Sequence, residues 1–283
     1  MKVDGKIKVG MAQLLVEGGE PERNFERACK LIDKAAEAQC HVVVLPETID
    51  FAWTHPRSID ESRPIPGDFS DIFCQKAKQH QIFICLGLTE KVDAQTRYNT
   101  ALLINEQGEI VLKYHKINLL DVEHPYYKVG QTLNIVDTPL GKIGVNICAD
   151  NYIESLTIAH TLARMGAQII LSPASWTVDH SITEEHDPYQ DKWIKPLSTI
   201  ATLYDMVMIS TTSVGYIVGG PYEGKKMVGR SVAINKDGII AEGMFNEFAG
   251  NLTIAEFEVP NRTLIGTQIG DHLRSKGYQF ESI

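Results

Sequence analysis

No apolar run in this 283-residue chain approaches the ~20 residues needed to span a bilayer. The opening "MKVDGKIKVGMAQ" has no signal-peptide h-region, so no membrane partner is expected. Basic charge is scarce: 27 Lys and Arg stand against 36 Asp and Glu, a net charge of −9. That balance argues against nucleic acid as the main partner. There is no G-x-G-x-x-G and no Walker loop, so nothing supports nucleotide binding. The five cysteines are an odd number and lack any C-x-x-C spacing, which speaks against a metal ribbon or a disulfide framework. Cys29, Cys40, Cys74 and Cys85 lie in mainly apolar or helical contexts and read as buried free thiols in a reducing cytoplasm.

What is present is an alternation of strand and helix patterns, the signature of α/β layers. "IKVGMAQLL" (7–15) reads as a strand, and 21–39 as a helix with Pro21 in its first turn and Phe25, Cys29, Ile32 and Ala36 on one stripe. "HVVVLPET" (41–48) is a continuous apolar run, hence a buried strand. A helix near 69–80, the strand 82–90 and the pair "YNTALLIN" and "IVLKYHK" complete a unit. The second half repeats the order. "KIGVNICAD" precedes a helix near 152–165, then come a strand at 167–176, a helix near 189–204 and a strand at 206–215. The last segment, 229–243, matches the earlier strand pair down to its turn, "NKDG" against "NEQG". Two copies of a β-α-β-α-β-β-β unit predict a single domain over 1–283, with two pseudo-symmetric halves, sheets face to face and helices outside.

In α/β sheets functional groups collect beyond the carboxyl ends of strands. Glu47 closes "VVVLPE", Lys116 follows "IVLKYH", and Cys148 closes "GVNIC", with Asp150 and Asn151 placed as caps of a following helix. A cysteine thiolate is a strong nucleophile, and a helix N-terminus after Cys148 together with a nearby ammonium would stabilise it. A buried carboxylate can take the thiol proton and return it to a leaving group. The Ala149 backbone N–H and the Lys116 ammonium would hold an oxyanion. Taken singly, each residue has a plainer reading: Cys148 a structural thiol, Glu47 a turn residue, Lys116 part of a solvated face.

Their surroundings resemble the nitrilase superfamily of carbon–nitrogen hydrolases. "VVVLPET" is similar to the family's glutamate motif, "YNTALLINEQGEIVLKYHKINLL" to its lysine motif, and "GVNICADN" to its cysteine motif. "SPASW" and "GRSVAINKDG" also match family segments, so the resemblance runs in order from about 7 to 258. It implies a four-layer αββα sandwich and a Glu-Lys-Cys triad of Glu47, Lys116 and Cys148. It implies hydrolysis of a non-peptide C–N bond through a thioester, with no metal or organic cofactor. Glu123, in "LLDVEHPYYKVG", is similar to a second glutamate that positions substrate and lysine, and the family pattern suggests a homodimer or larger homo-oligomer. Two departures stand out. Glu154 and Ser155 replace a usual Pro-Glu pair, and Asn151-Tyr152 stand where carbamoyl-amino-acid hydrolases carry an arginine.

Ala149-Asp150 after the nucleophile is similar to the amidase branch, whereas nitrilases tend to carry Trp-Glu there, and the short C-terminus points the same way. A small amide or carbamoyl amine is therefore the expected substrate, with a nitrile or a non-catalytic scaffold as the alternatives. Phe51, Trp53 and Trp176 follow strand ends and are candidate pocket walls. The segment 179–191 holds five acids and two histidines without ligand periodicity. It reads as a solvated loop or a lid, and its charge leaves room for a cationic substrate. His160, the nearest base for a cysteine-protease reading, lies mid-helix and faces away.

Overall fold

The computed structural model describes residues 5–186, 189–245, 249–261, 266 and 269–278. The first half runs β1 (Lys6–Gln13), α1 (Pro21–Glu37), β2 (Val42–Val44), α2 (Ser58–Glu61), α3 (Asp68–His80), β3 (Phe83–Lys91), β4 (Arg97–Ile104) and β5 (Ile110–His115). The second half begins with β6 (Ile135–Thr138), β7 (Gly141–Val145), α4 (Thr157–Met165), β8 (Ile169–Ala174) and the short β9 (Thr177–Val178). It continues through α5 (Lys195–Tyr204), β10 (Val207–Thr212), β11 (Val214–Tyr216), β12 (Lys226–Val228), β13 (Val232–Asn235) and β14 (Gly238–Glu242). β15 (Asn251–Glu258) and α6 (Ile269–Ser275) follow.

Two six-stranded sheets result, ordered β15-β1-β2-β3-β4-β5 and β6-β7-β8-β10-β13-β14, with β9, β11 and β12 in a small third sheet. The two orders correspond strand for strand. In each, three parallel strands (β1-β2-β3, β7-β8-β10) are flanked by antiparallel partners. Period-two alternation explains how each sheet serves two layers. Val42 and Val44 face the opposing sheet, while Val43 joins Phe25, Ala28, Ile32 and Phe73 under the helices α1 and α3. The sheets meet where β1 faces β10, β2 and β3 face β8, and β4 faces β7. This is the αββα sandwich that the motifs imply.

Several boundaries differ from expectation. The apolar stripe of α1 is Phe25, Ala28, Leu31, Ile32 and Ala35, so Cys29 and Ala36 sit at its half-buried margin. Cys74 is also half-buried, and only Cys40 and Cys85 join Cys148 among the buried thiols. β2 is three residues long rather than eight, because Pro46, which has no N–H to give, ends it. No long helix follows Cys148 directly. A 3-10 turn, Cys148–Asn151, and a second, Ile153–Ser155, intervene before α4 begins at Thr157. The helix near 189–204 begins as a wide π-type turn at Gln190–Ile194. Asp187, one of the acids of the 179–191 segment, lies outside the described residues.

Candidate active site

The carboxyl ends of β2 and β8, equivalent strands of the two halves, hold each other. Glu47 N–H donates to Ala174 O at 3.2 Å, and Ser175 Oγ donates to Glu47 O at 3.4 Å. Lys116 is fixed through its backbone, its N–H donating to Asn99 O at 2.9 Å and its carbonyl accepting Gly130 N–H at 2.8 Å. Cys148 sits at φ 42°, the left-handed region that costs a side-chain-bearing residue roughly 1–2 kcal/mol. Asp150 anchors that turn: Oδ2 accepts Ile147 N–H at 2.9 Å and Tyr114 Oη–H at 2.7 Å, and Oδ1 accepts Asn118 N–H at 2.9 Å. One carboxylate thus ties the cysteine turn to the segment that carries the lysine. Asp150 and Asn151 were expected to cap a helix. Instead Asn151 pairs with Asn146 and Ser172 inside the site.

The three sequence candidates converge in the interior. Glu47 and Lys116 are each 1% exposed and Cys148 6%, so the solvated-face reading of Lys116 is excluded. Lys116 Nζ lies 2.9 Å from Glu47 Oε1 and 2.9 Å from both oxygens of fully buried Glu123. Three ammonium hydrogens therefore meet three carboxylate oxygens. Glu123 also accepts from Trp53 Nε1 at 2.8 Å and from Leu120 N–H at 2.8 Å. Asn99 Nδ2 donates to Glu47 Oε1 at 2.6 Å. Glu47 Oε2, by contrast, is buried and has no hydrogen-bond partner among the described residues.

Burial raises the Glu47 carboxyl above the usual range, and the Glu123 charge adds to this against the pull of Lys116 and Asn99. Burial alone would depress Lys116, but Glu123 and Glu47 outweigh it and hold the ammonium well above its ordinary value. Cys148 was expected to have a stabilised thiolate. Burial, followed by the Glu47 charge, instead holds its thiol well above the ordinary range, opposed by Lys116 and a hydrogen bond from the Ser175 backbone. The physical reason is burial first and then the two carboxylates that face the sulfur, Glu47 before Glu123. At rest the thiol is protonated and needs a base.

Of the three aromatic candidates, Trp53 enters the site, with Lys116 Nζ 5.9 Å from its ring. Trp176 follows Ser175 and stacks on Trp193 at 4.9 Å, and Tyr189 packs against both. Phe51 is fully buried, with its ring 6.0 Å from Phe69 in α3. Tyr152, absent from the sequence candidates, is near enough for Cys148 and Lys116 to act on its phenol. His160 Nδ1 is paired with Tyr204 Oη at 2.6 Å between α4 and α5, away from Cys148. Among the described residues no three His, Cys, Asp or Glu side chains are grouped to hold a metal, and no helix is long and apolar enough to cross a membrane.

Sequence comparison bears on the same residues. The profile described as carbon-nitrogen hydrolase matches residues 8–263, a span that contains the entire cluster. The chain belongs to the carbon–nitrogen hydrolase family. Among its curated relatives, omega-amidase NIT2-A of Xenopus laevis is 29% identical over 61% of this chain and 65% of that protein. Deaminated glutathione amidase of Mus musculus is 32% identical over 55% of this chain and 52% of that protein. The chain thus spans about two thirds or less of the relatives it matches. Of solved structures, a carbon–nitrogen hydrolase from Helicobacter pylori G27 superposes with a TM-score of 0.79 at 20% identity, covering 96% of this chain and 93% of that one. A double mutant of the amidase from Nesterenkonia sp. AN1, in complex with acrylamide, gives 0.76 at 16% identity over 91% and 93%. At these identities the structural likeness establishes the carbon–nitrogen hydrolase fold.

Proposed function

We propose that this carbon–nitrogen hydrolase is an amidase that cleaves a small-molecule amide through a Cys148 thioester and releases ammonia. The observation that carries the reading is the unequal treatment of the two Glu47 oxygens. Oε1 is held by Lys116 and Asn99, while Oε2 is buried and unpartnered among the described residues, and the Glu47 charge acts on the Cys148 thiol. A desolvated carboxylate with one free oxygen is a competent base for a protonated thiol.

Glu47 Oε2 takes the Cys148 proton, and the sulfur attacks the amide carbon while the C=O pair moves onto oxygen. The Ala149 N–H and the Lys116 ammonium receive that oxyanion. Glu47 then returns the proton to the nitrogen, the C–N bond breaks, and ammonia leaves a thioester. Water, deprotonated by Glu47, attacks the thioester carbon. The C–S bond breaks, the acid departs, and the proton returns to sulfur. Glu123 keeps the ammonium charged and in place throughout.

An amide substrate is supported by relatives whose names describe amidases and by Ala149-Asp150 after the nucleophile. A carbamoyl amine is the second substrate the chemistry admits. The reading includes one domain over 1–283, a cytoplasmic compartment and a homo-oligomer, whose mass light scattering would measure. The deciding assay uses amide and nitrile pairs sharing one R group, scored for ammonia. The amide is expected to give the higher kcat/KM, and Cys148→Ala to be folded and silent. A nitrile preference across several pairs removes the amidase assignment, and turnover by Cys148→Ala removes the thioester.

A further inference from the structure

We infer that Asn99 is a positioning residue that decides which oxygen of Glu47 acts as the base and holds that carboxyl while Lys116 turns to the oxyanion. The inference rests on the proposed role of Glu47 as proton shuttle. Asn99 is fully buried near the start of β4, ahead of Thr100 and the apolar run from Ala101 to Ile104. Its Nδ2 donates to Glu47 Oε1 at 2.6 Å and reaches Glu123 Oε1 at 3.4 Å, while its backbone carbonyl accepts Lys116 N–H. A single residue therefore touches both carboxylates and the backbone of the lysine between them.

The need for such a residue follows from counting hydrogens. All three on Lys116 Nζ are met by carboxylate oxygens at rest, one of them Glu47 Oε1. Once Glu47 accepts the thiol proton it is neutral, and Oε1 becomes a weaker acceptor than a developing oxyanion. The third ammonium hydrogen can then move to substrate oxygen, and Glu47 loses its ionic tether. The Asn99 amide is uncharged and does not depend on that tether. It keeps Oε1 occupied, so Oε2 is the oxygen left to carry the proton between sulfur and the leaving nitrogen. Asn99 Oδ1 has no partner among the described residues, which leaves the side chain committed through its NH₂ alone.

The groups that face Glu47 are Lys116, Glu123, Cys148 and Tyr152. Of the uncharged neighbours, Asn99 donates to its ionised form. Asn99→Leu keeps most of the volume and removes the donor, and Asn99→Ala removes both. For both variants kcat is expected to fall about tenfold or more with KM little changed. The acid limb of kcat/KM is expected to move up by about one pH unit, since a donor that favours the carboxylate is gone. Far-UV circular dichroism at each pH confirms that the folded protein is being measured. An acid limb that stays at the parental pH in Asn99→Ala overturns the assignment, whether kcat falls or not. The premise is tested apart from this by mass spectrometry of the parent quenched during amide turnover. If no acyl adduct is found on Cys148, the hydrolase reading fails, whatever the Asn99 variants do.

Discussion

Lys116 carries a fixed positive charge at 1% exposure, and what makes this tolerable is that each of its hydrogens has a carboxylate oxygen at 2.9 Å. Charge alone does not account for the site. A compact ammonium places three donors tetrahedrally, whereas a bulkier guanidinium spreads five in a plane. Lys116→Arg is expected to lower kcat about 100-fold or more, roughly 3 kcal/mol of transition-state stabilisation. The acid limb of the kcat/KM profile offers a check on the sign. Glu47 must be ionised to accept the thiol proton, and its carboxyl is raised by burial and Glu123. Activity is therefore lost as pH falls through that raised value, in parent and variant alike. An Arg variant with near-parental kcat would show that positive charge suffices and that donor geometry is immaterial.

Glu47 depends on β2 and β3 being packed closer than two ordinary strand ends permit. A Cβ built on Gly87 in β3 would lie 2.7 Å from Glu47 Cα and 2.7 Å from Thr48 N. These are backbone atoms, which cannot swing aside as a side chain can. Gly87→Ala is expected to cost about 1–3 kcal/mol in urea unfolding and to lower kcat about tenfold, because Glu47 shifts from the thiol. Parental values for both would mean that the strand ends can separate without harm. The same contacts explain what could be read in advance. Glu47, Lys116 and Cys148 each follow an apolar run, so their positions at strand ends were legible. Asn99 and Ser175 were not, since their roles exist only where β4 meets the lysine segment and β8 meets Glu47. Asp150 and Asn151 misled for a related reason. Their capping tendency is real, but tertiary partners on Asn118, Tyr114, Asn146 and Ser172 claim those side chains first.

The two halves share their interior, and the polar joint between them is as telling as the apolar one. Gln13, fully buried at the end of β1, receives Ser231 N–H at 3.1 Å and Ser231 Oγ–H at 3.2 Å on Oε1, and its Nε2 donates to Met244 O at 2.7 Å. Ser231 Oγ accepts Thr212 N–H at 3.0 Å, and Thr212 Oγ1 accepts the Trp176 N–H at 2.8 Å. A chain of buried bonds thus leads from the first strand of the first half to the aromatic wall of the second. Nearby, Val214 N–H donates to Leu14 O at 2.9 Å, so the residue after β1 and the first residue of β11 are also bonded backbone to backbone. If each half were a separate folding unit, cutting the joint would weaken docking and leave two intrinsic stabilities unchanged. If the sandwich is one unit, the loss is felt by the whole. Gln13→Leu keeps most of the volume but strands the buried Ser231 N–H, whose partner is Gln13 Oε1. The expected cost is about 1–3 kcal/mol, the desolvation penalty of one stranded group. Tryptophan fluorescence reports on Trp53 in the first half and Trp176 and Trp193 in the second, and far-UV circular dichroism reports on both sheets. In urea the two signals are expected to move together to a lower midpoint with unchanged slope. Two separated transitions, with only one of them displaced, would show that the halves fold independently and that the shared core is only an interface.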